Sequence, residues 1–241
     1  MIPPALADLA FARDLLGVNI PAGGRVLDFG CGEGRSVAAL LAAGYDASGA
    51  DIFFPPTVPD ELRARLALIP QVGLRLPYAD ATFDFAFSDQ VFEHVEVPEV
   101  AIRELTRILK PGAVSVHRFP GPLYPVEGHV GMPLPFLCRS PAWLGFWCAL
   151  GRRPPQCRSL TVAESVAECR RIMSLVYYRS KHEWFGIAVR AGVKIEFRER
   201  EESLWRSASR LGRLNRRLGP LARPVTAVLS LFLQRYMVIR H

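Results

Sequence analysis

The chain has 241 residues, half of them hydrophobic, and its 30 Lys and Arg against 23 Asp and Glu give a net charge of +7. That apolar content excludes a disordered chain, and the length suits one well-filled α/β domain with insertions. The charge is unevenly placed: eight arginines and no acid lie between Ser203 and Arg240, so the remainder is close to neutral.

Asp8, Arg13 and Asp14 interrupt the N-terminal apolar residues and no cleavage-site pattern follows, so a signal peptide is not expected. The longest clean apolar run, Val225–Leu233, is too short to span a bilayer. Cys31, Cys138, Cys148, Cys157 and Cys169 are odd in number and lack C-x-x-C spacing. They read as reduced thiols of a cytosolic protein rather than as a disulfide or metal framework.

Pro3–Leu16 reads as an amphipathic helix with Leu6, Leu9, Ala10 and Leu16 on one face, ended by Gly17. Arg25–Phe29 reads as a short buried strand. Gly30, Gly32 and Gly34 then make a tight turn into an Ala/Leu-rich helix, Ser36–Ala43. A strand, a glycine turn and a helix N-terminus form a nucleotide cradle, because glycine lets the backbone approach the ligand and the first helical amides point at it. Asp28 ends the first strand. Asp46–Ala50 is a second strand with Asp51 at its tip, about 20 residues on, where an acid can hold a ribose hydroxyl.

A helix is predicted over Val58–Leu68 and a weak third strand around Ile69–Leu74. Asp84–Ser88 is the fourth strand. Pro98 opens a helix whose Ala101, Leu105, Ile108 and Leu109 form one apolar stripe, and Pro111-Gly112 stops it. Ala113–Phe119 is the fifth strand. Residues 120–180 are too long for a strand-to-helix connection. Their prolines and their Phe136, Trp143, Phe146 and Trp147 suggest an inserted cap of short helices. His182–Ala191 is the last crossover helix, Lys194–Arg200 and Gln234–Arg240 are strands, and residues 203–233 hold two helices broken at Gly219-Pro220. Strands alternating with helices imply a mostly parallel sheet with right-handed crossovers, whose ligands bind beyond the carboxyl ends of the strands. Asp28, Asp51, Ser88 and His117 converge at those ends.

Several runs carry a more specific resemblance: Val26–Arg35 with its three glycines, Leu76–Phe85, Phe92-Glu93-His94-Val95, and Glu104–Gly112. In order and spacing they resemble the class I S-adenosylmethionine-dependent methyltransferases, of the kind called methyltransferase type 11, over roughly residues 25–119. The resemblance implies an α/β, Rossmann-like, doubly wound fold. Its mostly parallel seven-stranded sheet has an antiparallel final strand, on a single domain over 1–241. The cap at about 120–180 and the helical stretch at about 203–233 are then insertions, the latter inside the terminal hairpin. The resemblance also implies S-adenosyl-L-methionine as cofactor. Asp28, Phe29, Gly30, Cys31, Gly32, Asp51, Ile52, Ser88, Asp89, Gln90 and His94 become its candidate contacts. One departure stands out. Gln71-Val72-Gly73-Leu74 replaces the Gly-Asp pair that usually meets the adenine amine, so adenine recognition falls to backbone groups or another side chain.

Methyl transfer from a sulfonium needs alignment and exclusion of water, and a hydroxyl acceptor gains from a nearby base. No metal is required. His129 is the preferred base, oriented by Glu127 in a glycine-flanked loop, with His117 at the end of strand five as a further candidate. His94 either contacts the cofactor or shapes its pocket, and His182 and His241 read as structural or exposed. A metal site from Glu127, His129 and His117 is disfavoured, since no three-ligand spacing is present. Arg206, Arg210, Arg213 and Arg217 form one helical stripe opposite Leu204, Ala208, Leu211 and Leu218. The stripe is either a solvated face or a contact for an anionic membrane surface, and nucleic acid is disfavoured because only one face is basic and no stacking platform is visible. The expected function is methyl transfer to a hydroxyl of a small molecule, glycan or lipid-linked sugar, in the cytoplasm or at the inner membrane surface. The alternatives are an RNA methyltransferase and a cofactor-binding non-catalytic scaffold.

Overall fold

A computed structural model describes residues 4–70, 73–133, 140–201, 224, 228, 230–232 and 234–240. Its elements run α1 (Pro4–Leu16), β1 (Arg25–Phe29), α2 (Arg35–Ala42), β2 (Asp46–Asp51), α3 (Asp60–Arg63), β3 (Leu66–Leu68), β4 (Phe83–Asp89), α4 (Pro98–Ile108) and β5 (Leu109–Pro120). There follow β6 (Val126–Glu127), β7 (Met132–Pro133), α5 (Pro141–Ala149), α6 (Val162–Met173), α7 (Lys181–Ala191), β8 (Lys194–Phe197) and β9 (Gln234–Arg240). One seven-stranded sheet has the order β3-β2-β1-β4-β5-β9-β8. Its strands are parallel except β9, which runs antiparallel to both β5 and β8. This is the expected Rossmann-like sheet with its antiparallel final strand.

Alternation along the central strands sends side chains to two cores. On one face Leu27, Phe29 and Ala86 pack under the stripe of α4 (Ala101, Ile102, Leu105, Ile108) and Trp184 of α7. On the other, Val26, Phe85 and Phe87 pack against Phe11 of α1 and Val37 and Leu40 of α2. Local sequence starts and stops these helices. Pro98 opens α4. Ser180 and Glu183 form a capping box on α7, and Gly192 ends it in the left-handed conformation.

Several predicted boundaries move. The expected helix over Val58–Leu68 shortens to α3, and its tail becomes β3, because Leu66–Leu68 pair with Gly49–Asp51 of β2. The third strand therefore lies earlier than Ile69–Leu74. The fourth helix ends at Ile108 rather than at Pro111-Gly112, since Leu109 turns extended and pairs with Phe83. Strand β8 stops at Phe197, and residues 199–201 are helical. Glu199 is there drawn into a buried ion pair with Arg235, at 3.0 Å, and also meets Lys181. Helix α1 buries Ala5, Leu9, Phe11 and Ala12, while Leu6 and Leu16 are only partly covered. Its Asp8 accepts a hydrogen bond from the Tyr236 hydroxyl of β9 at 3.1 Å.

The cap carries the expected short helices and an unforeseen hairpin, β6–β7. Val130 and Met132 of the hairpin, Leu144 and Cys148 of α5 and Cys169 of α6 form a small core of their own. Phe136 lies outside the described residues, as do Arg206, Arg210, Arg213 and Arg217 and almost all of 203–233. Among the described residues no helix is long and apolar enough to cross a membrane.

The segment leading into β4 is clamped by α4. Arg107 donates to the carbonyls of Leu76 and Tyr78 and to the carboxylates of Asp80 and Glu104, while Glu104 accepts from the Leu76 amide. The Arg107 side chain is 17% exposed and that of Glu104 13%. The Arg107 hydrogen bond holds the Glu104 carboxyl below its usual range. A lowered folded-state pKa adds stability that is complete above the unfolded value and fades as pH falls through the folded one. Arg107→Ala should therefore lower unfolding free energy by about 2–3 kcal/mol at neutral pH. The deficit relative to wild type should shrink on acidification below the usual carboxylate range. Urea unfolding followed at several pH values checks both.

Candidate cofactor and acceptor site

The turn after β1 hangs from the tip of β2. The amides of Gly30 and Cys31 donate to the carbonyl of Ala50 at 2.7 and 3.3 Å. The Gly32 amide donates to Asp51 Oδ2 at 2.8 Å, and Asp51 Oδ1 accepts from the amides of Ile52 at 2.7 Å and Phe53 at 3.4 Å. Asp51 is thereby held beside the glycine turn with its carboxylate oriented. Gly30 is required on two grounds: its φ is +80°, and a Cβ there would lie 2.2 Å from Val91 Cγ2.

Val91 belongs to the next wall. Beyond β4 the chain turns at Gln90, whose φ of 58° is rare for a residue with a side chain and whose amide donates to the Arg118 carbonyl at 2.8 Å. Between these walls lies a cavity of about 540 Å³. Its lining includes Phe29, Gly30, Asp51, Ile52, Gln90 and His94, all expected from the sequence. It also includes Ile69, Gly73, Leu74 and residues 95–97, which were not. Ile52, Ile69 and Leu74 make part of its wall apolar.

Other expected contacts sit behind the cavity. Asp28 is 4% exposed. Burial, reinforced by Asp89, Asp51 and Asp8, pushes its carboxyl up to about 8. The Cys31 thiol is buried against Gly49, where a Cβ would lie 2.5 Å from its sulfur, and burial raises its pKa out of the reactive range. Asp89 is held by Arg118 through two hydrogen bonds of 3.0 and 2.6 Å.

Ser88 and His117 form a unit inside the sheet. His117 is fully buried, with Nδ1 at 2.8 Å from Ser88 Oγ and Nε2 at 2.8 Å from Ser115 Oγ. Burial pulls its pKa down to about 3, so the ring is neutral, one nitrogen donating and the other accepting. Phe92 packs edge-on at 4.6 Å. His117 is thus placed as a polar core residue, with both nitrogens committed, and is not in the cavity wall.

His129 arrives from the cap. It sits in the turn between β6 and β7, anchored by Val130 and Met132 in the cap core. Its Nε2 lies 3.0 Å from Nε2 of His94, with the rings perpendicular at 4.7 Å. The segment bearing His94 is itself pinned: the Tyr177 amide donates to the Glu93 carbonyl at 2.7 Å, and Arg179 donates to the Glu96 carbonyl at 2.8 Å. Glu127 lies two residues away in β6, and its side chain is outside the described residues. The catalytic candidates Glu127, His129 and His117 are not brought together, because His117 is sealed in the sheet. The fully buried Glu93 joins His94 and His129 instead, their ligand atoms within 4.8 Å of one another. Glu93 was overlooked as a ligand. The Glu-His pair was visible, but nothing in its spacing points to a loop 35 residues on.

Comparison with known proteins agrees with this geometry. Residues 27–116 match the family model described as a methyltransferase domain. An uncharacterized protein of Mycobacterium tuberculosis is 30% identical over 142 residues, which cover 53% of this chain and 47% of that protein. An uncharacterized methyltransferase of Mycobacterium leprae is 34% identical over 116 residues, 45% of this chain and 42% of its own length. The chain thus spans about half the length of the curated relatives it matches. In fold it is similar to an S-adenosylmethionine-dependent methyltransferase of Mesorhizobium loti, with a TM-score of 0.54, 19% identity and 98% of both chains covered. A methyltransferase of Haemonchus contortus, determined with phosphomonomethylethanolamine and S-adenosylhomocysteine, gives a TM-score of 0.50 at 13% identity, covering 98% of this chain and 51% of that one. Residues 27–116 thus match a methyltransferase domain, the sheet has the fold of an S-adenosylmethionine-dependent methyltransferase, and these matches support S-adenosyl-L-methionine as the cofactor of the glycine-turn site.

The cavity, the glycine turn and the Asp51 carboxylate fit that cofactor. Asp28 supplies a test. Its raised pKa means that between about pH 4 and 8 the folded ligand-free protein keeps a proton that the unfolded chain sheds, so stability falls as pH rises through that window. An ammonium brought against this carboxyl favours its ionised form. S-adenosylhomocysteine binding at pH 7 should therefore release a proton. Calorimetric enthalpies should vary with the ionisation enthalpy of the buffer, and Asp28→Asn should abolish the variation. Asp51→Ala should weaken the same binding by about 1–3 kcal/mol through loss of a charge-assisted hydrogen bond.

Proposed function

We propose that this protein transfers a methyl group from S-adenosyl-L-methionine to a hydroxyl of a small molecule, a glycan or a lipid-linked sugar. The observation that carries this reading is that His94, from the segment after β4, lines the cavity and meets His129 of the cap at 3.0 Å. The cofactor, when bound, supplies an activated methyl on a sulfonium. Asp51 holds the ribose, and the Gly30–Gly32 turn takes the methionyl end. The apolar wall of Ile52, Ile69 and Leu74 receives the adenine by burial rather than by a carboxylate. The cap closes over the site and excludes water. His129 takes the acceptor proton, with His94 fixing its tautomer through the Nε2 contact and Glu127 orienting the loop. His117 remains neutral and structural.

Incubation of the protein with isotopically labelled cofactor and a cell extract, read by mass spectrometry, identifies what gains the methyl. A labelled methyl ether on a small molecule, glycan or lipid-linked sugar supports this reading; labelled RNA overturns the acceptor class, and no labelled product favours a cofactor-binding scaffold. With the acceptor in hand, His129→Ala should lower turnover by about 10²–10⁴-fold with cofactor affinity nearly intact.

The concentration of positive charge between Ser203 and Arg240 favours a surface-bound acceptor. Arg206, Arg210, Arg213 and Arg217 are proposed to meet anionic lipid, each contributing about 1 kcal/mol that salt screens. Co-sedimentation with anionic but not neutral liposomes, reversed by high salt and by changing all four to Gln, is the expected result.

A further inference from the structure

We propose that Glu93, His94 and His129 form a binding site for a divalent transition-metal ion at the acceptor end of the cofactor cavity. Two imidazole nitrogens and a carboxylate are a ligand set suited to Zn²⁺ and its first-row neighbours. Here the three ligand atoms already lie within 4.8 Å of one another. The two Nε2 atoms are 3.0 Å apart and their rings are perpendicular. Nitrogens at about 2.1 Å from one ion are separated by about 3.0 Å at a right angle and about 3.4 Å at the tetrahedral angle. The nitrogen spacing thus needs a shift of a few tenths of an ångström at most, and the Glu93 carboxylate, within 4.8 Å, closes by a side-chain rotation.

The site is also built rather than casual. Glu93 is fully buried, and a carboxylate withdrawn from water is stabilised by a cation within reach. The Tyr177 amide fixes the backbone of Glu93, the His94 amide is tied to the Val91 carbonyl at 2.8 Å, and the cap core holds the loop of His129. Both halves are positioned independently of any ion. Three protein ligands leave coordination positions for water or for an acceptor oxygen, the arrangement of catalytic rather than structural sites.

An ion here refines the proposed mechanism. Polarisation of the acceptor hydroxyl would replace proton removal by His129, with the proton passing to water. The acceptor oxygen then bonds to the methyl carbon, the carbon–sulfur bond breaks, and its electron pair stays on sulfur as a neutral thioether. This role rests on the methyl-transfer reading, but the binding does not.

The test begins with the full chain freed of metal by a chelator. Titration with Zn²⁺ against a competing chelator should show one ion per chain, and Co²⁺ should give visible d–d absorption. His129→Ala and Glu93→Gln should each weaken Zn²⁺ binding at least about 100-fold and abolish the Co²⁺ spectrum. The His129 variant should retain its S-adenosylhomocysteine affinity, which certifies its fold. Equal metal affinity in wild type and a folded His129→Ala overturns the site, and so does absence of any binding; the histidines are then a hydrogen-bonded pair only. Metal binding without labelled product would instead overturn the methyl-transfer reading and leave the site standing. If both hold, chelation should suppress turnover and Zn²⁺ restore it.

Discussion

The parallel pairing of β1 with β2, extended past its end by the glycine turn, is the constraint on which the site depends. Three backbone amides of the turn are satisfied by the tip of β2: those of Gly30 and Cys31 by the Ala50 carbonyl, that of Gly32 by the Asp51 carboxylate. Turn amides left unpaired in so tight a bend would be expensive. Meeting them from the neighbouring strand both closes the turn and aims Asp51 at the cavity. Val91 then presses on Gly30 from the far side, so the space for a side chain at that position is already filled. A single local arrangement thus builds two walls of the pocket.

Polar groups behind those walls work in the opposite sense. Asp28, Ser88, Ser115 and His117 are all buried, and each is placed where charge is costly. His117 answers by staying neutral between two hydroxyls. Asp28 answers by holding its proton to about pH 8. The first is a settled structural unit. The second is a buried carboxyl behind the cavity wall that desolvation and three neighbouring acids keep protonated at neutral pH.

The cap contributes through its own small core rather than through the sheet. Val130 and Met132 pack with α5 and α6, and this carries His129 to His94 across a sequence gap that no local pattern bridges. From the other end of the cap, Tyr177 and Arg179 tie the chain back to the carbonyls of Glu93 and Glu96. Divergent caps can thus change acceptor chemistry on an unchanged cofactor platform.

The sequence, with the family resemblance it carries, determined a mostly parallel sheet with an antiparallel final strand and most of the glycine turn. Those features depend on short-range regularities: the buried run of Arg25–Phe29, the glycines at 30, 32 and 34, the acid at the tip of β2 and the stripe of α4. The same motifs that signalled the family proved to be bonded partners, Leu76–Asp80 being clamped by Glu104 and Arg107. Tertiary structure decided the rest. Leu66–Leu68 became a strand because β2 offered an edge, overriding a local helical tendency. His117 went into the core and out of the cavity wall because its strand is covered on both faces, which the alternation of β5 could not reveal. The grouping of Glu93, His94 and His129 required the cap to fold back over the sheet. Its ligand atoms are neighbours only through long-range packing, and one-dimensional spacing carries no trace of that.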